Sequence, residues 1–132
     1  MQPLRNNAQI HLYYGQPGTG KTFAAREAYD KCNPERAVII DGDTVRQMWP
    51  GIGYDPESRE LNQKRIIQLA QYFYNMHMDV FVATVCPTTA DRRLWRASFP
   101  PEVLHMHYMD KVFDESKFQK HGCKFFDIPH NP

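Results

Sequence analysis

The eight residues GQPGTGKT, Gly15 to Thr22, leave this chain little choice of fold. They fit the pattern G-x-x-x-x-G-K-[ST] without a mismatch, and that pattern works where a strand delivers the chain and a helix carries it away. Gly15, Gly18 and Gly20 can take backbone conformations closed to other residues, so successive N–H groups can turn inward around a phosphate chain. Lys21 then supplies a point charge for the β- and γ-phosphates, and the Thr22 hydroxyl is placed to ligate Mg²⁺. The helix that starts there aims its N-terminal dipole at the same anion. The expected ATP-binding set is Gly15, Gly18, Thr19, Gly20, Lys21, Thr22 and Phe23.

The rest of the chain supplies the alternation such a loop needs. QIHLYY (9–14), RAVIID (36–41), DVFVATV (79–85) and VLHMHYM (103–109) are short, apolar and bounded by polar or turn residues, as strands are. Between them, 21–32 is rich in Ala, Glu and Arg. Residues 56–77 put Leu61, Ile66, Leu69, Ala70 and Phe73 at roughly helical spacing, behind Asp55 as N-cap and Pro56 at the first helical position. TTADRRLWR (88–96) opens with Thr88 three residues ahead of Asp91, which suits a capping box, and Pro100 and Pro101 stop it. Strand–helix alternation predicts an α/β fold of the P-loop NTPase type, three layers around a mainly parallel central sheet. At 132 residues the chain is expected to form one domain over 1–132.

Composition narrows the partners. A net charge of +1 lacks the basic excess of a dedicated nucleic-acid binder. Three cysteines, Cys32, Cys86 and Cys123, lie far apart and suggest neither a disulfide framework nor a CxxC metal site. MQPLRNNAQIHLYY has no apolar stretch long enough for a signal peptide or membrane span, so a cytoplasmic protein with no membrane partner is expected. His105, His107, His121, Cys123 and His130 form no known zinc spacing. Met76, Met78, Trp49 and Trp95 read as packing residues.

A P-loop fixes the phosphate donor and leaves the acceptor open. DGDTVR follows the second apolar run, at the carboxyl edge where open parallel sheets build their ligand crevice. Two carboxylates facing Mg·ATP can hold the metal's water shell and take a proton from an attacking hydroxyl. Asp43 is the expected general base, and Asp41 joins Thr22 at the metal. One of the two also suits the N-cap of the helix that follows.

DGDTVR, then GYDPESRELNQKRI, then CPTTADRRLWR, in this order behind the P-loop, resembles the adenylylsulfate kinases over about residues 9 to 96. Those enzymes transfer the γ-phosphoryl of Mg·ATP to the 3′-hydroxyl of adenosine 5′-phosphosulfate (APS), and they carry D-G-D-x-x-R, G-[FY]-S-x-E-D-R-x-x-N-x-x-R and S-P-[FY]-x-x-x-R segments. The resemblance implies a small anionic nucleotide as acceptor and admits a homodimer. It implies acceptor-binding roles for Arg46, for Tyr54 in place of the aromatic that stacks on the acceptor adenine, for Arg59 and Asn62 on one helix face, and for Pro87 and Arg92. Guanidinium forks suit sulfate and phosphate oxygens, and two polyanions must approach each other before transfer. Arg65 and Lys64 read instead as a solvated helix face.

The chain also departs from the family pattern. Asp55 and Ser58 exchange the usual Ser and Asp, and Thr88 replaces the aromatic after Pro87. The family's lid, with its KGLYKKAR-like stretch, has no match in DKVFDESKFQKHGCKFFDIPHNP. A missing lid implies a reduced kinase or a more open acceptor site, and Lys111, Lys117, Lys120 and Lys124 read first as surface lysines that could supply part of the lost charge. Two other functions fit the same P-loop. One is a kinase acting on a nucleic-acid end or a hydroxymethylated base, marked by affinity that falls steeply with salt. The other is a non-catalytic nucleotide-binding module, which would not need the aspartate pair.

Overall fold

The computed structural model describes residues 5–49 and 51–129; His130, at the end of the histidine-bearing tail, lies outside them. Its elements run β1 (Ile10–Tyr14), α1 (Lys21–Asp30), β2 (Ala37–Asp41), α2 (Gly42–Gln47), α3 (Pro56–Asn75), β3 (Asp79–Thr84), α4 (Thr89–Ser98), β4 (Leu104–Tyr108) and α5 (Glu115–His121). The four strands are all parallel in the order β2-β3-β1-β4, with Leu12 level with Val82 on one side and Met106 on the other. Each expected strand is present within a residue or two. The sheet is wholly rather than mainly parallel.

The layers follow from which faces are apolar. In β3 every residue from Val80 to Thr84 is buried, as a central parallel strand covered on both sides requires. α1 lies on one face, over Ala37, Phe81 and Ala83. The other face carries Ile10, Leu12, Tyr14, Ile40, Val80 and Val82, packed with Ile66, Ile67 and Ala70 of α3 and Trp95 of α4. Helix starts use local chemistry. The Asp55 carboxylate accepts from Ser58 N–H at 3.2 Å ahead of Pro56, and Thr88 Oγ1 accepts from Asp91 N–H at 3.1 Å. The Ser58 hydroxyl, which donates to Asp55 Oδ1 at 2.7 Å, and the Ser58 N–H together hold the Asp55 carboxyl below its ordinary pKa.

Three packing expectations change. Leu61 is 45 % exposed, whereas Arg59, Asn62 and Gln63 face inward. The first turns of α3 cover a polar region rather than the apolar core, and burial there is compensated by hydrogen bonds: Gln63 donates to Thr84 Oγ1 at 2.8 Å and accepts from Trp95 Nε1 at 3.0 Å. Trp95 is wholly buried, but Trp49 is exposed under the Arg65 guanidinium, 4.2 Å from its ring centre. Met76 is likewise exposed at the end of α3. Lys64 pairs with Glu60 at 3.4 Å on the solvated face, as its surface position suggests.

Along β1 and β4, His11, His105 and His107 stack on one another, with His11 Nδ1 3.0 Å from His107 Nε2. Burial, reinforced by the neighbouring imidazoles, pushes His11 down to about 4. Among the described residues, no group of three His, Cys, Asp or Glu is placed to hold a metal, and no helix is long and apolar enough to cross a membrane.

Candidate active site

The loop between β1 and α1 is bent by glycines with positive φ, 83° at Gly18 and 82° at Gly20, values that L side chains rarely adopt. It is also crowded from behind. Phe113 and Asp114 both donate their N–H groups to the Gly18 carbonyl, at 2.7 and 3.1 Å, and a Cβ at Gly18 would overlap the Asp114 carbonyl oxygen. Gly20 is the N-cap of α1 and has no side-chain cap, which leaves the first-turn N–H groups open to a ligand.

Lys21 and Thr22 follow on the first turn. Lys21 Nζ donates to the Gln16 carbonyl at 2.8 Å. Burial lowers its pKa to about 8, with Asp43 and Asp41 pulling it up and Lys117 pushing it down. Thr22 Oγ1 donates to Asp41 Oδ2 at 3.0 Å, which joins the end of β2 to the start of α1. The other oxygen of Asp41 accepts from Asp43 N–H at 2.9 Å, so Asp41 is the N-cap of α2 and both its oxygens are engaged. Asp43, in the first turn of α2, is exposed and its carboxylate accepts no hydrogen bond among the described residues. A hard hydroxyl and a hard carboxylate side by side are a fitting pair of ligands for Mg²⁺.

These residues open onto a cavity of about 740 Å³, lined on the donor side by Gly18, Gly20, Lys21, Thr22 and Phe23 and on the far side by Asp41, Asp43, Arg46 and Tyr54. Arg46 donates to the Gly53 carbonyl and lies 4.4 Å from the Tyr54 ring centre. Gly15 and Thr19 support the loop from beneath; Thr19 is buried and donates to the Gln16 carbonyl at 2.7 Å.

The remaining predicted acceptor residues lie outside the lining. Arg59 is 8 % exposed; it donates through Nε to the Tyr54 carbonyl at 2.8 Å and sits 5.5 Å from the rings of both Tyr54 and Phe125. Asn62 donates to the Gly42 carbonyl at 3.2 Å and so ties α3 to α2. Pro87 is buried, and Arg92 donates to its carbonyl at 3.3 Å beneath the Tyr14 and Phe126 rings. Among the described residues, Arg46 Nε, Arg92 Nε, Asn62 Oδ1 and Tyr14 Oη are buried without a hydrogen-bond partner. Buried polar atoms without partners are costly, and one of the four belongs to Arg46, which lines the cavity.

One wall is absent from the sequence reading. Ser116, Lys117, Lys120 and His121 of α5 line the cavity, so two of the four lysines first read as surface residues face the phosphate loop. His121 stacks on Tyr54 at 6.0 Å between ring centres. A signal for this helix was available: Asp114 caps it by accepting from Ser116 N–H at 3.1 Å, and its last turn is basic.

A family model described as adenylylsulphate kinase matches residues 7–120. The adenylyl-sulfate kinase of Marinobacter nauticus is 30 % identical over 111 residues, covering 80 % of this chain and 55 % of the relative. That of Deinococcus deserti is 29 % identical over 95 residues, covering 70 % of this chain and 52 % of the relative. The chain thus spans about half the length of these curated relatives. Among solved structures, the Mycobacterium tuberculosis APS kinase CysC in complex with AMPPNP and APS superposes with a TM-score of 0.78 at 18 % identity, over 97 % of this chain and 87 % of that one, which shows a shared fold.

Proposed function

The chain belongs to the adenylylsulphate kinase family, and on that premise we propose that it transfers the γ-phosphoryl group of Mg·ATP to the 3′-hydroxyl of adenosine 5′-phosphosulfate, as a single kinase domain. The observation that carries the reading is the shared cavity, with the P-loop on one side and Arg46 and Tyr54 on the other. Donor and acceptor can face each other there.

In this reading the loop N–H groups and Lys21 hold the β- and γ-phosphates, and Thr22 and Asp41 would hold Mg²⁺, which would supply charge neutralisation. Asp41, joined to Thr22, is placed toward the metal, and Asp43, whose carboxylate accepts no hydrogen bond among the described residues, accepts the proton of the attacking hydroxyl. Tyr54, 53 % exposed despite its cation contacts, offers ring surface to the acceptor adenine. Arg46, stacked on that ring, meets the anionic part of the nucleotide. Arg59, Asn62, Pro87 and Arg92 form the wall behind, holding Tyr54 and the end of β3 in place. Lys117 and Lys120 of α5 add positive charge opposite Lys21, where a lid is shortened.

The test is a product assay with labelled Mg·ATP against APS, nucleosides and DNA. Transfer to the 3′-hydroxyl of APS is expected. No transfer to APS, with transfer to a hydroxyl on DNA or another metabolite, leaves the donor site standing and removes the proposed acceptor.

A further inference from the structure

α5 presents a physical problem. None of its seven residues is buried, so no core contact holds it beside the cavity that Lys117 and Lys120 line. Apart from the His121–Tyr54 stack, its two ends hold it, and both are fastened to the phosphate loop. At the N-terminal end, Phe113 and Asp114 donate to the Gly18 carbonyl. At the C-terminal end, the Gln16 side-chain amide pairs with the backbone of buried Cys123 in both directions, donating to its carbonyl and accepting from its N–H, each at 2.8 Å. Gln16 also carries the loop's internal bonds, because its own carbonyl accepts from Thr19 Oγ1 and from Lys21 Nζ.

We infer that Gln16 is a positioning residue, whose paired hydrogen bonds to Cys123 hold the C-terminal end of α5 so that Lys117 and Lys120 face the phosphates bound in the loop. A reciprocal amide–backbone pair fixes orientation as well as distance, which a single contact at the end of a short helix would not. The same tie sets the path of the next residues, where the Phe125 ring meets Arg59. The inference rests on the part given above to α5, and it concerns donor binding rather than the identity of the acceptor.

The test is a double-mutant cycle read as Mg·ATP dissociation constants by calorimetry, with amide hydrogen exchange at Cys123 as the second readout. Gln16→Met keeps length and packing and removes both hydrogen bonds. It is expected to weaken Mg·ATP by about tenfold, and Lys117→Met by about the same, the usual scale of a charge-assisted contact. The double variant should be about tenfold weaker, not about a hundredfold, because a lysine on a released helix has nothing left to lose. Exchange at Cys123 N–H should rise in Gln16→Met and stay unchanged in Lys117→Met. If Gln16→Met does not fold, Gln16→Glu serves in the same cycle, since it keeps the acceptor for Cys123 N–H and opposes the Cys123 carbonyl. An additive loss, or unchanged exchange at Cys123, overturns the tie and leaves the charge of Lys117 in place. No effect of Lys117→Met in the wild-type background removes both the tie and the part given to α5. A failure to phosphorylate APS shows in the product assay and leaves these binding readouts unmoved.

Discussion

The two walls of the cavity are made of different material. The donor wall is mostly backbone: glycines at positive φ, a carbonyl at Gly18 pinned by two N–H groups, and one half-buried lysine. The proposed acceptor wall is side chain on side chain, with Arg46 on the Tyr54 ring, and behind it, outside the lining, Arg59 against Tyr54 and Phe125 and Arg92 near Tyr14 and Phe126. Backbone geometry suits a triphosphate, which is the same in every turnover and presents only oxygens. Stacked arginines suit a nucleotide with both a flat base and an anionic end. Substitutions on the donor wall should therefore cost rate, and those on the acceptor wall should cost acceptor affinity.

The sharpest way to break that division is Asp43→Asn. The substitution keeps size and the start of α2, whose cap is Asp41, and removes the carboxylate of this pair that accepts no hydrogen bond among the described residues. The rate constant should fall by about 10²- to 10⁴-fold while Mg·ATP affinity hardly moves. Loss of ATP binding together with turnover would assign Asp43 to the metal and pass the base role to Asp41. Single-turnover phosphoryl transfer beside calorimetric Mg·ATP binding separates the two outcomes.

Behind the Tyr54 side of the cavity, Arg59→Ala removes a buried guanidinium and its hydrogen bond to the Tyr54 carbonyl. With the Tyr54 backbone no longer anchored, acceptor binding should weaken by at most roughly 1.5–3 kcal/mol, the scale of the charge-assisted hydrogen bond lost, with Mg·ATP affinity nearly unchanged. The Michaelis constants for the two substrates, measured on one preparation whose melting temperature is known, report the split. An equal rise in both constants would mean that the walls are one mechanical unit.

Most of the donor wall was legible in the sequence because backbone requirements leave marks on it: GQPGTGKT states its own glycines, and Asp55-Pro56 and Thr88 state their own caps. The strands were legible for the same reason, each apolar run being short and bounded. The acceptor wall was legible only as residue types at family spacing. That Arg59 and Asn62 are buried, with Leu61 turned to solvent, depends on what α3 meets, namely the polar backbone of Tyr54 and Gly42, and no periodicity within α3 reveals it. α5 was missed because it buries nothing, so it has no amphipathic pattern to read. Its place is set by Gln16 and Cys123, separated by 107 residues.

The smallest expected effect tests whether the donor wall depends on one charge. Lys21 has its pKa lowered to about 8, chiefly by burial. A bound triphosphate places negative charge against the ammonium, so the pKa rises on binding and a proton is taken up as pH passes through 8. The sign follows: Mg·ATP binding is strongest below pH 8 and weakens as pH rises through it, by about tenfold between pH 7 and pH 9, a range in which the last phosphate ionisation, near pH 6, is already complete. Calorimetry in two buffers of different ionisation enthalpy should report the proton uptake directly. Lys21→Met should bind Mg·ATP more weakly and show a flat profile over the same range. A wild-type profile equally flat would mean that Lys21 is fully charged before the nucleotide arrives, and that burial in the loop does not cost it its proton.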